Sequence, residues 1–193
     1  MTGGARTDPA TFEARYREHA DPWGFTTDPY EQAKFARTLA ALGPRHFATA
    51  LELGCSIGVL TEQLAGRCDR LVALDAAPSA VRCARERLAG APGVTVRCAL
   101  VPEDLPPGPW ELVVASEVLY YLDAELLDVA VGRLVRDLAP GGLLLAVHWT
   151  GTAASHALAA DDVHARLLTA PGLRAVYAET HERYRLDLLE RAA

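Results

Sequence analysis

The chain has 193 residues, half of them apolar and 23% charged, which is the balance of one folded domain with a sizeable core and excludes a disordered segment. Its net charge of −6 argues against a general nucleic-acid or membrane-surface role, because phosphate binding needs clustered Lys and Arg, and the single Lys34 among 19 basic residues reads as compositional bias. Residues 1–7 form no apolar leader and no run reaches transmembrane length, which predicts a soluble protein of a reducing, cytoplasmic compartment with no membrane or nucleic-acid partner.

Asp8 before Pro9 is a helix start, an N-cap side chain followed by a residue with its φ preset, and predicts a helix over 9–20 with Phe12 and Tyr16 on one face. In the turn Asp21-Pro-Trp-Gly-Phe25, Trp23 and Phe25 serve either as a flap over a ligand or as an aromatic plug. Asp28-Pro-Tyr-Glu31 repeats the start signal with an acid at the capping-box position, opening a helix over 29–42 that Gly43-Pro44 stops. Strands are predicted at 49–54, 70–75 and 94–98, with helices at 58–66 and 78–89 between them. After the loop 102–109, residues 111–116 are a wholly apolar strand of the kind buried on both faces. Asp123 caps a helix over 124–138, and Pro140-Gly-Gly142 turns into a strand at 143–148. A helix at 161–169 and strands at 173–179 and 183–189 close the chain. The last two strands are joined by so few residues that they must be antiparallel. Strands alternating with helices otherwise give an α/β fold, a mostly parallel sheet with helices on both faces.

The stretch Ala50-Leu-Glu-Leu-Gly-Cys-Ser-Ile-Gly58 organises this pattern, since it runs an apolar strand into a Gly-spaced turn and a helix start, where a polar cofactor can meet backbone N–H groups. Leu71-Val-Ala-Leu-Asp75 then ends a second strand in a carboxylate, the place where such folds bind a ribose diol. The turn is Gly54-x-x-x-Gly58 and lacks the G-x-G-x-x-G spacing that admits a pyrophosphate, so the cofactor is expected to be smaller and cationic. Glu52 sits inside an apolar strand, where an acid is costly unless it has a partner. Cys55, Cys68, Cys83 and Cys98 lie at no metal-ligand spacing and are expected to be isolated buried thiols, with no metal site.

Leu51-Glu-Leu-Gly-Cys-Ser-Ile-Gly58, Asp75 and the Pro-Gly-Gly turn at 140–142 together resemble a class I S-adenosylmethionine-dependent methyltransferase. Asp21-Pro-Trp23, Pro29-Tyr-Glu31, Ser116-Glu-Val-Leu-Tyr-Tyr121, His148-Trp-Thr-Gly151 and Glu182-Arg-Tyr-Arg-Leu-Asp187 are similar, more narrowly, to the nodulation protein S subgroup, which N-methylates an amino sugar. The resemblance implies a Rossmann-like seven-stranded sheet in the order 3-2-1-4-5-7-6 with an antiparallel last strand. It also implies one domain over 1–193, with a helical lid at 1–46 capping a core at 47–193.

It further implies S-adenosylmethionine as cofactor, leaving as S-adenosylhomocysteine. Glu52 and Gly54 would line its methionine part, Cys55, Ile57 and Gly58 border the turn, Asp75 accept both ribose hydroxyls, and Ala76, Val101 and Ser116 neighbour the remainder. The apolar Ala99-Leu-Val-Pro102 departs from the acidic residue that many relatives place there for adenine; Glu103 and Asp104 come slightly late. The acceptor side gathers at the ends of the fourth and fifth strands. Glu117 and His148 are the candidate catalytic residues there, with His148 the first choice as general base. Trp23, Tyr30, Tyr120, Tyr121 and Trp149 are candidate walls for a small-molecule acceptor. The expected activity is N-methylation of an amine or amino-sugar-type compound of secondary metabolism by a monomer or homodimer. O-methylation of a small natural product, or a non-catalytic cofactor-binding subunit, is the alternative.

Overall fold

The computed structural model describes residues 6–192, so residues 1–5 of the expected lid lie outside the described residues. The chain divides into two compact units, Asp8–Leu100 and Val101–Ala193, the latter together with the segment ending at Thr7. Seven strands form one sheet and, numbered in chain order, lie in it in the order 3-2-1-4-5-7-6, the order implied by the resemblance.

The first unit runs α1 (Pro9–Glu18), α2 (Pro29–Ala41), β1 (Phe47–Leu53), α3 (Val59–Ala65), β2 (Cys68–Asp75), α4 (Pro78–Arg87) and β3 (Val94–Cys98). Asp8 and Asp28 cap α1 and α2 as expected, accepting from Ala10 N at 2.9 Å and Tyr30 N at 2.8 Å. Glu31 pairs with Lys34 at 2.8 Å. β1 pairs in parallel with β2, and β2 with β3, so the ends of β1 and β2 that carry Glu52 and Asp75 lie side by side. Cys55, Ala73, Val81, Ala84, Leu88 and Val96 form one core cluster beneath them.

The second unit runs β4 (Trp110–Ser116), a 3-10 turn (Leu119–Tyr121), α5 (Ala124–Asp137), β5 (Leu138–Trp149), α6 (Ala160–Thr169), β6 (Leu173–Thr180) and β7 (Tyr184–Arg191). β4 and β5 are parallel, and β7 is antiparallel to both β5 and β6. Pro140-Gly-Gly142 is a bulge inside β5 and not the turn before it: Trp110 pairs with Leu138 but Leu112 with Leu143. Gly141 supplies a left-handed φ of 71°, and a Cβ on Gly142 would come within 2.8 Å of the Ala139 and Trp110 carbonyl oxygens.

The cysteines depart from the expected burial. Cys55 and Cys68 are buried, Cys83 is half-buried and Cys98 is exposed, because β3 is an edge strand with one face open. Among the described residues no helix is long and apolar enough to cross a membrane, and no group of His, Cys, Asp and Glu is arranged to hold a metal ion.

Candidate active site

In the first unit the residues predicted for the cofactor meet at the turn after β1. Gly54 and Gly58 take φ values of 73° and 82°, and Ser56 between them also lies in the left-handed region at 52°. A Cβ on Gly58 would come within 3.2 Å of Ala84 Cα and Cβ and of Leu88 Cδ1, so helix α4 fixes glycine there independently of φ. Asp75 closes the turn from the end of β2, accepting from Ser56 N at 2.8 Å through Oδ2 and from Ala77 N at 2.9 Å through Oδ1. Burial raises the Asp75 pKa against the pull of the Ala77, Ser56 and Ala76 N–H groups.

Glu52 is the acid the strand pattern singled out, and it is 1% exposed. Its Oε2 has no hydrogen-bond partner among the described residues. Burial pushes its pKa up to about 7, with the Thr61 hydroxyl opposing and the Asp75 charge adding to the rise. Two carboxyl groups on adjacent strands, Glu52 buried with an oxygen unpartnered among the described residues and Asp75 half-buried, favour a ligand that brings positive charge and hydrogen-bond donors. Ile57 is buried beside them. Cys55 points its thiol into the core cluster, where burial raises its pKa well above the usual thiol range, so it offers the turn only its backbone.

The first helix of this unit attaches to the same turn. Tyr16 on α1 bonds its hydroxyl to Ser56 Oγ at 2.6 Å, and Glu13 accepts from Ser79 N at 2.9 Å and Ser79 Oγ at 2.8 Å at the start of α4. Trp23 packs edge-on to Tyr16 at 5.3 Å and stacks on Phe25, which tilts onto Phe35 at 5.6 Å. Within this unit that aromatic column has the character of the plug. Tyr30 lies beneath the Lys34 ammonium, 5.3 Å from its ring centroid.

In the second unit Ser116 ends β4 and is buried, and Glu117 follows it with a left-handed φ of 56°, a conformation a non-glycine residue adopts at a cost. From there the Glu117 carboxylate accepts from two donors, the Trp149 N–H at 2.9 Å and the Tyr120 hydroxyl. Burial first, and the neighbouring Glu117 charge second, push the Tyr120 pKa far above the usual phenol range, so this hydroxyl donates and does not act as a base. Tyr120 stacks on His156 with centroids 3.9 Å apart and stands edge-on to Tyr121 at 4.7 Å. Trp149 lies 5.9 Å from His156, and a Cβ on Gly151 would strike its indole, so the glycine makes room for that ring.

His148 is fully buried. Its Nε2 accepts from Leu119 N at 3.2 Å and its Nδ1 faces His164 Nε2 at 3.0 Å. A general base must turn a lone pair toward the acceptor, and both ring nitrogens of His148 are engaged inside the protein, which favours Glu117 over His148, the first choice from the sequence, for that role. Val101 opens this unit beside Pro102 and is half-buried; Glu103 is ion-paired with Arg6 and so is bound elsewhere than to an adenine. Sequence reasoning missed His156, His164 and Asp187 as site residues, together with the Tyr16 to Ser56 bond. Asp187 carried a readable signal: like Glu52, it is an acid inside an apolar strand.

A family model for nodulation protein S (NodS) matches residues 12–164. The chain is 39% identical over 129 residues to a nodulation protein S of Rhizobium tropici, 65% of this chain and 53% of that protein. It is 36% identical over 124 residues to one of Sinorhizobium fredii, 63% of this chain and 57% of that protein. The chain thus spans little more than half the length of these curated relatives. Among solved structures, the N-methyltransferase NodS of Bradyrhizobium japonicum WM9 in complex with S-adenosyl-L-homocysteine superposes with a TM-score of 0.85 at 25% identity, covering 96% of this chain and 100% of that one. A putative methyltransferase of Pseudomonas syringae gives a TM-score of 0.75 at 38% identity, covering 84% and 99%.

Proposed function

The chain belongs to the nodulation protein S family, and we propose on that footing that it is an S-adenosylmethionine-dependent N-methyltransferase acting on an amine or amino-sugar-type small molecule. The observation that carries the reading is the buried Glu52, with an oxygen unpartnered among the described residues, on the strand that leads into the Gly54 to Gly58 turn closed by Asp75. The cofactor is a cation with an ammonium group and a ribose diol, and these are the groups that two adjacent carboxyls suit. The crystal structure of the Bradyrhizobium relative with S-adenosyl-L-homocysteine supports the same assignment.

Glu52 and Gly54 hold the methionine part, Ile57, Gly58 and the Cys55 backbone border it, and Asp75 takes the ribose hydroxyls. Ala76, Val101 and Ser116 complete the proposed cofactor set. Residues 1–46 are proposed as the lid, with Tyr30 and, in addition to its place in the aromatic column, Trp23 as walls for the acceptor. When bound, S-adenosylmethionine supplies a methyl group on a sulfonium centre, which an in-line nucleophile can take.

The protein's own part is alignment and proton management. An amine attacks only as the neutral base, and one whose pKa lies about two units above ambient costs roughly 2.7 kcal/mol to deprotonate. Glu117 is proposed to accept that proton, with Tyr120 and the Trp149 N–H fixing the carboxylate so that one orientation persists. Tyr120, Tyr121 and Trp149 form the acceptor's aromatic walls. The acceptor is proposed to be an amino-sugar-type compound of secondary metabolism and the setting cytoplasmic, with the protein a monomer or homodimer. Calorimetric titration with S-adenosylhomocysteine, followed by turnover of S-adenosylmethionine with a panel of amines and alcohols, tests the reading. Alcohols methylated in preference to amines would replace it with O-methylation, and binding with no turnover would point to a non-catalytic subunit.

A further inference from the structure

Behind the Glu117 and Tyr120 pair lies a chain of polar groups that the proposed chemistry does not use. His148 on β5, His164 on α6 and Asp187 on β7 are each fully buried. They are linked end to end, His148 Nδ1 to His164 Nε2 at 3.0 Å and His164 Nδ1 to Asp187 Oδ2 at 2.8 Å. At the far end His148 Nε2 meets Leu119 N at 3.2 Å.

The two ends fix every proton between them. A backbone N–H can only donate, so His148 Nε2 presents its lone pair and the ring carries its hydrogen on Nδ1. That hydrogen needs an acceptor, which His164 Nε2 supplies, leaving the His164 hydrogen on Nδ1 facing the carboxylate. Burial disfavours an ionised Asp187, but the His164 N–H and the Arg185 guanidinium outweigh it and hold the carboxyl below its usual pKa. Arg185 reaches the same Oδ2 at 3.1 Å and extends to Asp161 at 3.3 Å, and the Tyr120 ring, whose hydroxyl donates to Glu117, faces His148 from the turn after β4.

A buried network of this kind contributes little net stability, because apolar residues of similar volume do as well. What it gives is geometry. Here the geometry ends at Leu119, the first residue of the 3-10 turn that carries Tyr120 and Tyr121, and the Tyr120 ring stands edge-on to His148 at 5.1 Å. We propose that His164 and Asp187 are positioning residues for the acceptor side of the reaction, acting through one tautomer of His148 to pin the Leu119 to Tyr121 turn and so present the Tyr120 hydroxyl to Glu117. The inference rests on the methyltransferase reading above.

The test compares His164→Phe, which removes both the acceptor and the donor, with His164→Gln, whose amide restores one of each. For His164→Phe the expected result is a fall of about tenfold or more in kcat/KM for the acceptor, the size of one lost buried hydrogen bond, with affinity for S-adenosylhomocysteine within about twofold of wild type. His164→Gln should recover most of the loss. Nitrogen-15 NMR should find His148 protonated on Nδ1 and bare on Nε2 at neutral pH, and Leu119 amide exchange should accelerate in His164→Phe but not in His164→Gln. A His148 ring protonated on Nε2, wild-type acceptor kinetics in His164→Phe, or a parallel loss of cofactor affinity in both variants would overturn the inference. Should His164→Phe fail to fold, the ring tautomers of the wild-type protein and the kinetics of His164→Gln still decide it. Should the wild-type chain bind the cofactor product and methylate nothing, the methyltransferase reading fails separately, while the tautomers and the amide exchange continue to test the positioning chain.

Discussion

The Tyr16 hydroxyl lies 2.6 Å from Ser56 Oγ, so the first helix is bonded to the middle residue of the turn between Gly54 and Gly58. Ser56 also gives its N–H to Asp75. One residue thus links the N-terminal helix, the turn and the carboxylate at the end of β2. Tyr16→Phe is expected to lower stability by about 1 kcal/mol and to weaken binding of S-adenosylhomocysteine severalfold. Combined with Ser56→Ala in a double-mutant cycle it should show a coupling of at least about 0.5 kcal/mol. Additive effects in calorimetry would show that α1 does not steady the turn.

Gly58→Ala meets two obstacles at once, a left-handed φ and contacts of 3.2 Å with Ala84 and Leu88. The expected cost is about 2 kcal/mol, or roughly 4–8 °C in Tm for a chain of this size, with cofactor affinity reduced because the turn must shift. Gly66, whose added Cβ would meet nothing within 4 Å, is the control. Equal melting temperatures for Gly58→Ala and Gly66→Ala would contradict the steric argument.

Glu52 makes stability and binding respond to pH in opposite directions. Its folded pKa, about 7, lies above the ordinary 4.5, so the folded state keeps a proton that the unfolded state has lost between these values. The associated stability is complete below the unfolded pKa and falls away as pH rises through the folded one, by an amount on the order of 3 kcal/mol. A cationic cofactor needs the ionised form, so its affinity should rise over the same interval. Glu52→Gln should flatten both trends and leave the unliganded protein more stable than wild type at pH 8. Denaturant unfolding and calorimetry from pH 5 to 8 read this directly, and an unchanged pH slope in the variant would remove Glu52 from the assignment.

Glu117→Gln keeps the two hydrogen bonds in shape but removes the proton acceptor. Turnover is expected to fall by roughly a hundredfold or more with affinity for S-adenosylhomocysteine unchanged. His148→Gln, which can still accept from Leu119 N, should cost much less. The reverse order of effects in steady-state kinetics would return His148 to the role of base.

The parts of this protein legible in its sequence are those written in local chemistry. Asp8, Asp28 and Asp123 each cap the helix they were expected to open, and the apolar runs ending at Leu53, Asp75 and Ser116 are strands whose ends carry the proposed site. Pro140-Gly-Gly142 was misread because a bulge and a turn use the same residues, and only pairing with Trp110 and Leu112 separates them. The relay from Leu119 to Asp187 was illegible for a different reason. Its members come from four elements spread over 69 residues, and no spacing rule relates them. His148 was visible as a histidine at a strand end, yet whether its lone pair faces a ligand or a backbone amide depends on which element packs beside it.

Methyl transfer to an amine is measured most directly by the reaction of the purified chain with S-adenosylmethionine and a panel of amino sugars and simple amines, followed by mass spectrometry of both products. The expected result is S-adenosylhomocysteine formed in equal amount with an acceptor that has gained one methyl group on nitrogen, abolished by Asp75→Ala and strongly reduced by Glu117→Gln. Tight binding of S-adenosylhomocysteine with no methylated acceptor, or methylation found only on oxygen, would contradict it.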